Sequence, residues 1–154
     1  MGRAERNTRF VLAVILLAVT WFFVLAEGFT RIENMGIRHN VARTGGIERL
    51  QSWAVDILGR PQKDILVDPN RTDIRWLKRE LYSEQVKRIQ PSWVWLYSEP
   101  DKKYMAIQIS GGGFTDGIGS AIVLSSPSTS IETEHGRLIK WRDGVYAFFG
   151  RLPP

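Results

Sequence analysis

An unbroken apolar run from Phe10 to Ala26, FVLAVILLAVTWFFVLA, constrains this chain more than any other feature. It carries no charge, and Thr20 is its one polar residue. A helix apolar on every face has to be surrounded, by protein or by lipid. A chain of 154 residues has room for one modest domain plus an appendage, with no interior wide enough to enclose such a helix. As a helix the run spans roughly 26 Å, close to the ~30 Å of bilayer hydrocarbon. Adding Glu27, Gly28 and Phe29 completes the crossing. Residues 10–29 are therefore expected to be a transmembrane helix, with the lipid bilayer as their partner.

Charge gives the expected orientation. Arg3, Arg6 and Arg9 against Glu5 leave a basic tail over residues 1–9, the cytoplasmic side under the positive-inside rule. Arg31, Arg38 and Arg43 on the far side weaken that bias. The C-terminal part is expected outside the cytoplasm. Val24 and Ala26 suit signal cleavage after Ala26, which would give a secreted protein. The length of the run, the bulky Trp21-Phe22-Phe23 and the lack of a polar stretch before that point favour a retained signal-anchor.

Composition narrows the rest. The net charge of +5 is spread through mixed signs, which describes a solvated surface and predicts no nucleic-acid partner. The absence of cysteine excludes disulfides and cysteine-based zinc or redox chemistry. Two histidines, His39 and His135, cannot build a histidine-rich metal site. Neither a metal nor a cofactor is expected.

Residues 30–46 lack a clear period and read as a juxtamembrane linker, whose first part can continue the helix of the span. A soluble domain is expected over 47–154. Ile47, Leu50, Ala54, Ile57 and Leu58 form one helical stripe, with Gly59 suited to a left-handed cap and Pro61 as a stop. Asp64–Val67 reads as a short strand, followed by Asp68-Pro69-Asn70 turn chemistry. A second helix is expected over 72–89, capped by Asn70 or Thr72, with Ile74, Leu77, Leu81, Tyr82, Val86 and Ile89 inward and a Glu84–Arg88 pair outward. From Ser92 the period becomes two. Trp93–Tyr97, Tyr104–Ile109 and Ile118–Leu124 are expected strands, the first of them central because it is apolar on both faces. Asp143-Gly144 suits a type I′ hairpin, pairing Arg142 with Val145, Trp141 with Tyr146 and Ile139 with Phe148. The expected fold class is α+β: an N-terminal transmembrane helix, then two helices packed on a mainly antiparallel sheet.

Three groups of residues are candidates for chemistry. The stretch from Ser110 to Ser120 holds five glycines, and Gly111, Gly112, Gly113 and Ser120 can offer backbone N–H groups to an anion. It lacks the Lys-Ser/Thr end of a phosphate loop, and bulges also require glycine. Asp116 with Glu132, Glu134 and His135 is the one acidic–histidine combination, fit for acid–base work, though solvated turns use the same residues. Trp93, Trp95, Tyr97 and Tyr104 can form an aromatic platform for a sugar or a protein partner, where core packing is the ordinary use. None of these outweighs its ordinary structural use, so the reading leans away from an enzyme without excluding one. The functional expectation is a membrane-anchored extracytoplasmic interaction or scaffold module. The alternatives are a small exported hydrolase or ligand-binding protein using loop 110–120, and an accessory subunit of a larger membrane complex.

Overall fold

The computed structural model describes residues 3–70, 75–98, 102–111, 118–126, 131 and 136–151. The chain divides into two compact units, 1–36 and 37–154.

The first unit is helical. Its described residues, from Arg3 onward, lie within α1, Arg3–Thr44. The helix is long and apolar enough to cross a membrane. Large side chains point outward along it, from Phe10 to Phe29. Thr20, the lone polar residue of the run, donates its hydroxyl to the Leu16 carbonyl at 2.8 Å, so the helix satisfies it without water. Beyond the run, Arg31 pairs with Glu27 one turn earlier at 3.3 Å.

The second unit is α+β. Residues 30–46, expected to be a linker, are helical as far as Thr44, and Ile37 and Val41 are buried in the core of this unit. Gly45 and Gly46 make the corner into α2 (Ile47–Leu58), both at positive φ. A side chain there would be strained, and a Cβ on Gly45 would press against Gln85 at 3.1 Å. Gln85 latches this corner, its amide donating to the Gly46 carbonyl at 2.8 Å and to Val41 at 3.4 Å.

The stripe read for α2 is the face it buries. Leu50, Ala54 and Ile57 are buried, with Ile47 and Leu58 packed beside them. Gly59 is not left-handed as expected; it continues right-handed at φ −79°, and Pro61 starts the short α3, Gln62–Ile65. Helix, not strand, thus occupies Asp64 and Ile65, and only Leu66 forms a bridge, with Leu77. The Asp68 turn forms as read: its carboxylate accepts from the Asn70 N–H at 3.1 Å.

The second long helix does not exist. Thr72, Asp73 and Ile74 lie outside the described residues. Trp76 and Leu77 are extended and bridge to Trp95 and Leu66; a 3-10 turn, Arg79–Leu81, follows; only α4, Glu84–Ile89, is α-helical. Sheet pairing here overrides helical propensity. Ser83 caps α4 by accepting from the Val86 N–H at 3.2 Å, and Gln90 ends it in the left-handed conformation ahead of Pro91. Glu84 pairs with Lys87 at 2.7 Å rather than with Arg88 as read. Leu77, Val86 and Ile89 are buried nonetheless, because the apolar spacing specified the inward side correctly while the backbone took another path.

Five antiparallel strands follow: β1 Trp93–Ser98, β2 Lys103–Gly111, β3 Ile118–Ser125, β4 Gly136–Arg142 and β5 Val145–Arg151. Their order is β1-β2-β3-β5-β4. β1 is thus at the end of the sheet, not central. Its outer edge is still satisfied: Leu77 N–H donates to Val94 O, and Leu96 N–H to Arg75 O, both at 2.9 Å. One sheet face packs on the helices through Val94, Leu96, Met105, Ile107, Ile122 and Leu124.

The last hairpin departs from its expected register. Arg142 pairs with Val145 as read, but a bulge at Trp141 then pairs Lys140 with Tyr146 and Leu138 with Phe148. Gly144 has φ 74°, whereas Asp143 keeps negative φ, so the turn is not type I′, which needs both positive. The bulge puts Trp141 with the helix-side core and leaves Tyr146, Phe148 and Leu138 on the opposite face. Gln51 secures the turn from α2, donating to the Asp143 carbonyl at 2.8 Å.

Candidate functional site

Strand alternation sends Trp93, Trp95 and Tyr97 to the face away from the helices, because Val94 and Leu96 take the core side. Register then selects their neighbours. Tyr97 faces Tyr104 and Trp95 faces Ala106. The two tyrosine rings stack at 4.6 Å and 23°. Ala106, Ala121, Val123 and Phe148 form the floor of this face, with Trp95, Tyr104 and Tyr146 packed on it. The small alanines leave room for the large rings beside them. The Trp95 indole N–H is buried there without a hydrogen-bond partner.

The extended segment at 75–77 completes the platform. Trp76 is paired with Trp95, so its ring lies diagonal to Trp93. These two indoles stack at 4.6 Å, only 16° from parallel. The Arg79 guanidinium sits 5.6 Å from the Trp93 ring centre, within cation–π range. Between Val67, Trp76 and Trp93 lies an open cleft of about 510 Å³. Lys78, Arg79 and Tyr82 also line it, and Glu80 is the one carboxylate among its described lining residues. Val67 is 58% exposed and Trp93 39%. Burial pushes the Tyr82 phenol above its ordinary range, opposed by the charge of Arg79 and a hydrogen bond with the Val94 backbone. Lys78 is held from below, its ammonium donating to the Asp64 carbonyl at 3.0 Å.

The cleft offers stacking surface, two cations and a phenol. Stacked rings beside cations are the kind of lining that can hold a flat or anionic group. The sequence pointed to Trp93, Trp95, Tyr97 and Tyr104, and these four share one face. It missed Trp76 and Arg79, because both had been assigned to a helix. The signal that could have found them is Ser83, a strong cap placed just ahead of α4, which argues against a helix that had already begun near residue 72.

The other candidates fare differently. Gly112, Gly113, Asp116, Glu132, Glu134 and His135 lie outside the described residues. Gly111 pairs with Gly119 at the end of the β2–β3 ladder. Ser120 is fully buried in β3, opposite Phe149. Comparison with known proteins returned no matching family, no matching curated relative and no matching solved structure.

Proposed function

We propose that this chain is a single-pass, membrane-tethered interaction module, with its N-terminus in the cytoplasm and its sheet domain outside. The observation that carries this reading is the outward-facing apolar run from Phe10 to Ala26. Among the described residues, the core clusters of the sheet domain are built from Ile37 onward. The run's only polar side chain is satisfied within the helix. The aromatic cleft supplies the surface through which such a module acts, since exposed stacked indoles serve recognition more readily than catalysis.

Expression of the full chain tests the reading. The protein is expected to resist alkaline extraction from membranes and to keep its full 17.6 kDa mass. In sealed vesicles with the native orientation, protease added from the extracytoplasmic side is expected to reach the domain. A mature chain beginning at Glu27 makes the protein secreted. Full-length protein dissolved without detergent overturns the membrane tether.

A further inference from the structure

We infer that the cleft formed by Val67, Trp76 and Trp93, rimmed by Lys78 and Arg79, docks on the headgroup layer of an anionic bilayer. The inference rests on the membrane-tether reading and deepens it by naming what the domain touches. Three observations favour lipid over other occupants.

The first is the kind of apolar surface. Tryptophan prefers the boundary between hydrocarbon and water, where its ring is apolar and its N–H is wet. Here two indoles lie parallel beside an exposed valine at an Asp-Pro-Asn turn. Val67 and Trp93 are among the few large apolar side chains after residue 36 that face solvent.

The second is charge. The stretch from Arg75 to Glu80 carries three cations against one carboxylate. Arg75 is occupied, donating to the Ser98 carbonyl at 2.9 Å. Arg79 stays exposed while lying over Trp93, and its planar fork suits a phosphate. A stacked indole with a guanidinium above it matches a surface that is apolar beneath and phosphate-rich on top.

The third is linkage. The domain is covalently joined to an apolar helix, so under the tether reading a bilayer is present at high effective concentration. A shallow, open cleft with modest charge suffices under those conditions, whereas a free partner would need far tighter complementarity. Docking requires anionic lipid in the leaflet that faces the domain, because neutral headgroups give the cations no gain.

The absence of cysteine makes the test clean. Val67→Cys in the full chain carries one environment-sensitive fluorophore, and Ser52→Cys, on the exposed side of α2, carries the control. Both are reconstituted in discs of phosphatidylcholine with or without phosphatidylglycerol. The Val67→Cys label is expected to shift to the blue only with phosphatidylglycerol, and to revert in high salt. Arg79→Ala is expected to lower the docked-to-free ratio about fivefold. The control label is expected to stay in water throughout. As a second reading, headgroup-proximal brominated lipid is expected to quench the fluorescence difference between the unmodified chain and Trp93→Phe. Failure of the chain to enter discs at all overturns the tether reading. Entry with a Val67→Cys label that stays in water overturns only the docking. Equal shifts of both labels, or a shift that needs a soluble protein, also overturn it, the last by giving the cleft to a protein partner.

Discussion

Leu17 and Leu50 are the same residue in two helices of one chain, with opposite fates. Leu17 is 60% exposed and Leu50 is fully buried. The difference lies in what surrounds them in sequence. Around Leu50 apolar residues recur every three or four positions, so α2 has an inside and an outside. Around Leu17 they occupy every position but Thr20, so the run has no polar face. Hydrophobicity alone therefore does not predict burial in the protein; its period separates the stripe that packs from the run that stays exposed.

The sharpest way to break this comparison is one substitution made twice. Leu50→Ala is expected to destabilise the sheet domain by about 2–5 kcal/mol, from lost burial plus a cavity, read as a lower thermal midpoint. Leu17→Ala is expected to leave that midpoint unchanged. If both lower it alike, the run belongs to the domain's core. Leu17→Arg tests the other solvent. A central arginine costs about 3 kcal/mol of insertion, so the ratio of membrane-retained to soluble chain is expected to fall about a hundredfold in a flotation assay.

A smaller effect probes the far sheet face. A Cβ on Gly136 would overlap the Phe148 ring and approach the Phe149 carbonyl at 2.8 Å. Gly136→Ala is expected to cost about 1–3 kcal/mol through overpacking, measured by denaturant unfolding. The smallest effect belongs to the surface. Lys140 bonds Asp143 at 2.6 Å, and that hydrogen bond and charge hold the Asp143 carboxyl below its usual range. Because the folded value is depressed, its stabilisation is present above the ordinary carboxylate range and is lost as pH falls through the lowered value. Asp143→Asn is expected to lower the midpoint slightly at neutral pH and to match the parent in acid, since the pair is fully exposed.

Much of the fold was legible because burial has a period. The stripe of α2 named the right inward residues, and the alternation of Trp93–Tyr97 grouped its aromatic residues on one face. Leu77, Val86 and Ile89 were also rightly placed inside, yet their helix was wrong. Helical spacing records which side is apolar, not whether a neighbouring strand lacks an edge partner, and β1 took residues 75–77 for that purpose. The last hairpin went astray for a related reason: one bulged residue, Trp141, shifts every side chain before it, and no local propensity announces it. The aromatic face was half legible. Its strand members follow from alternation, while Trp76 and Arg79 join it only through long-range pairing.

The two flanks of the sheet have unequal consequences for crowding. On the β1 side the backbone is sealed by residues 75–77 and again by 65–67. At the other end of the sheet β4 is the last strand; it carries Arg137, Lys140 and Arg142, of which Lys140 pairs with Asp143 and Arg142 with Glu48. Under the proposed tether, molecules confined to a plane collide sideways far more often than in bulk, and charged side chains on an edge strand discourage pairing between copies. Ionic strength near 1 M, where the screening length shrinks to about 3 Å, is accordingly the condition in which strand-to-strand clustering is expected, visible as slowed lateral diffusion in a supported bilayer.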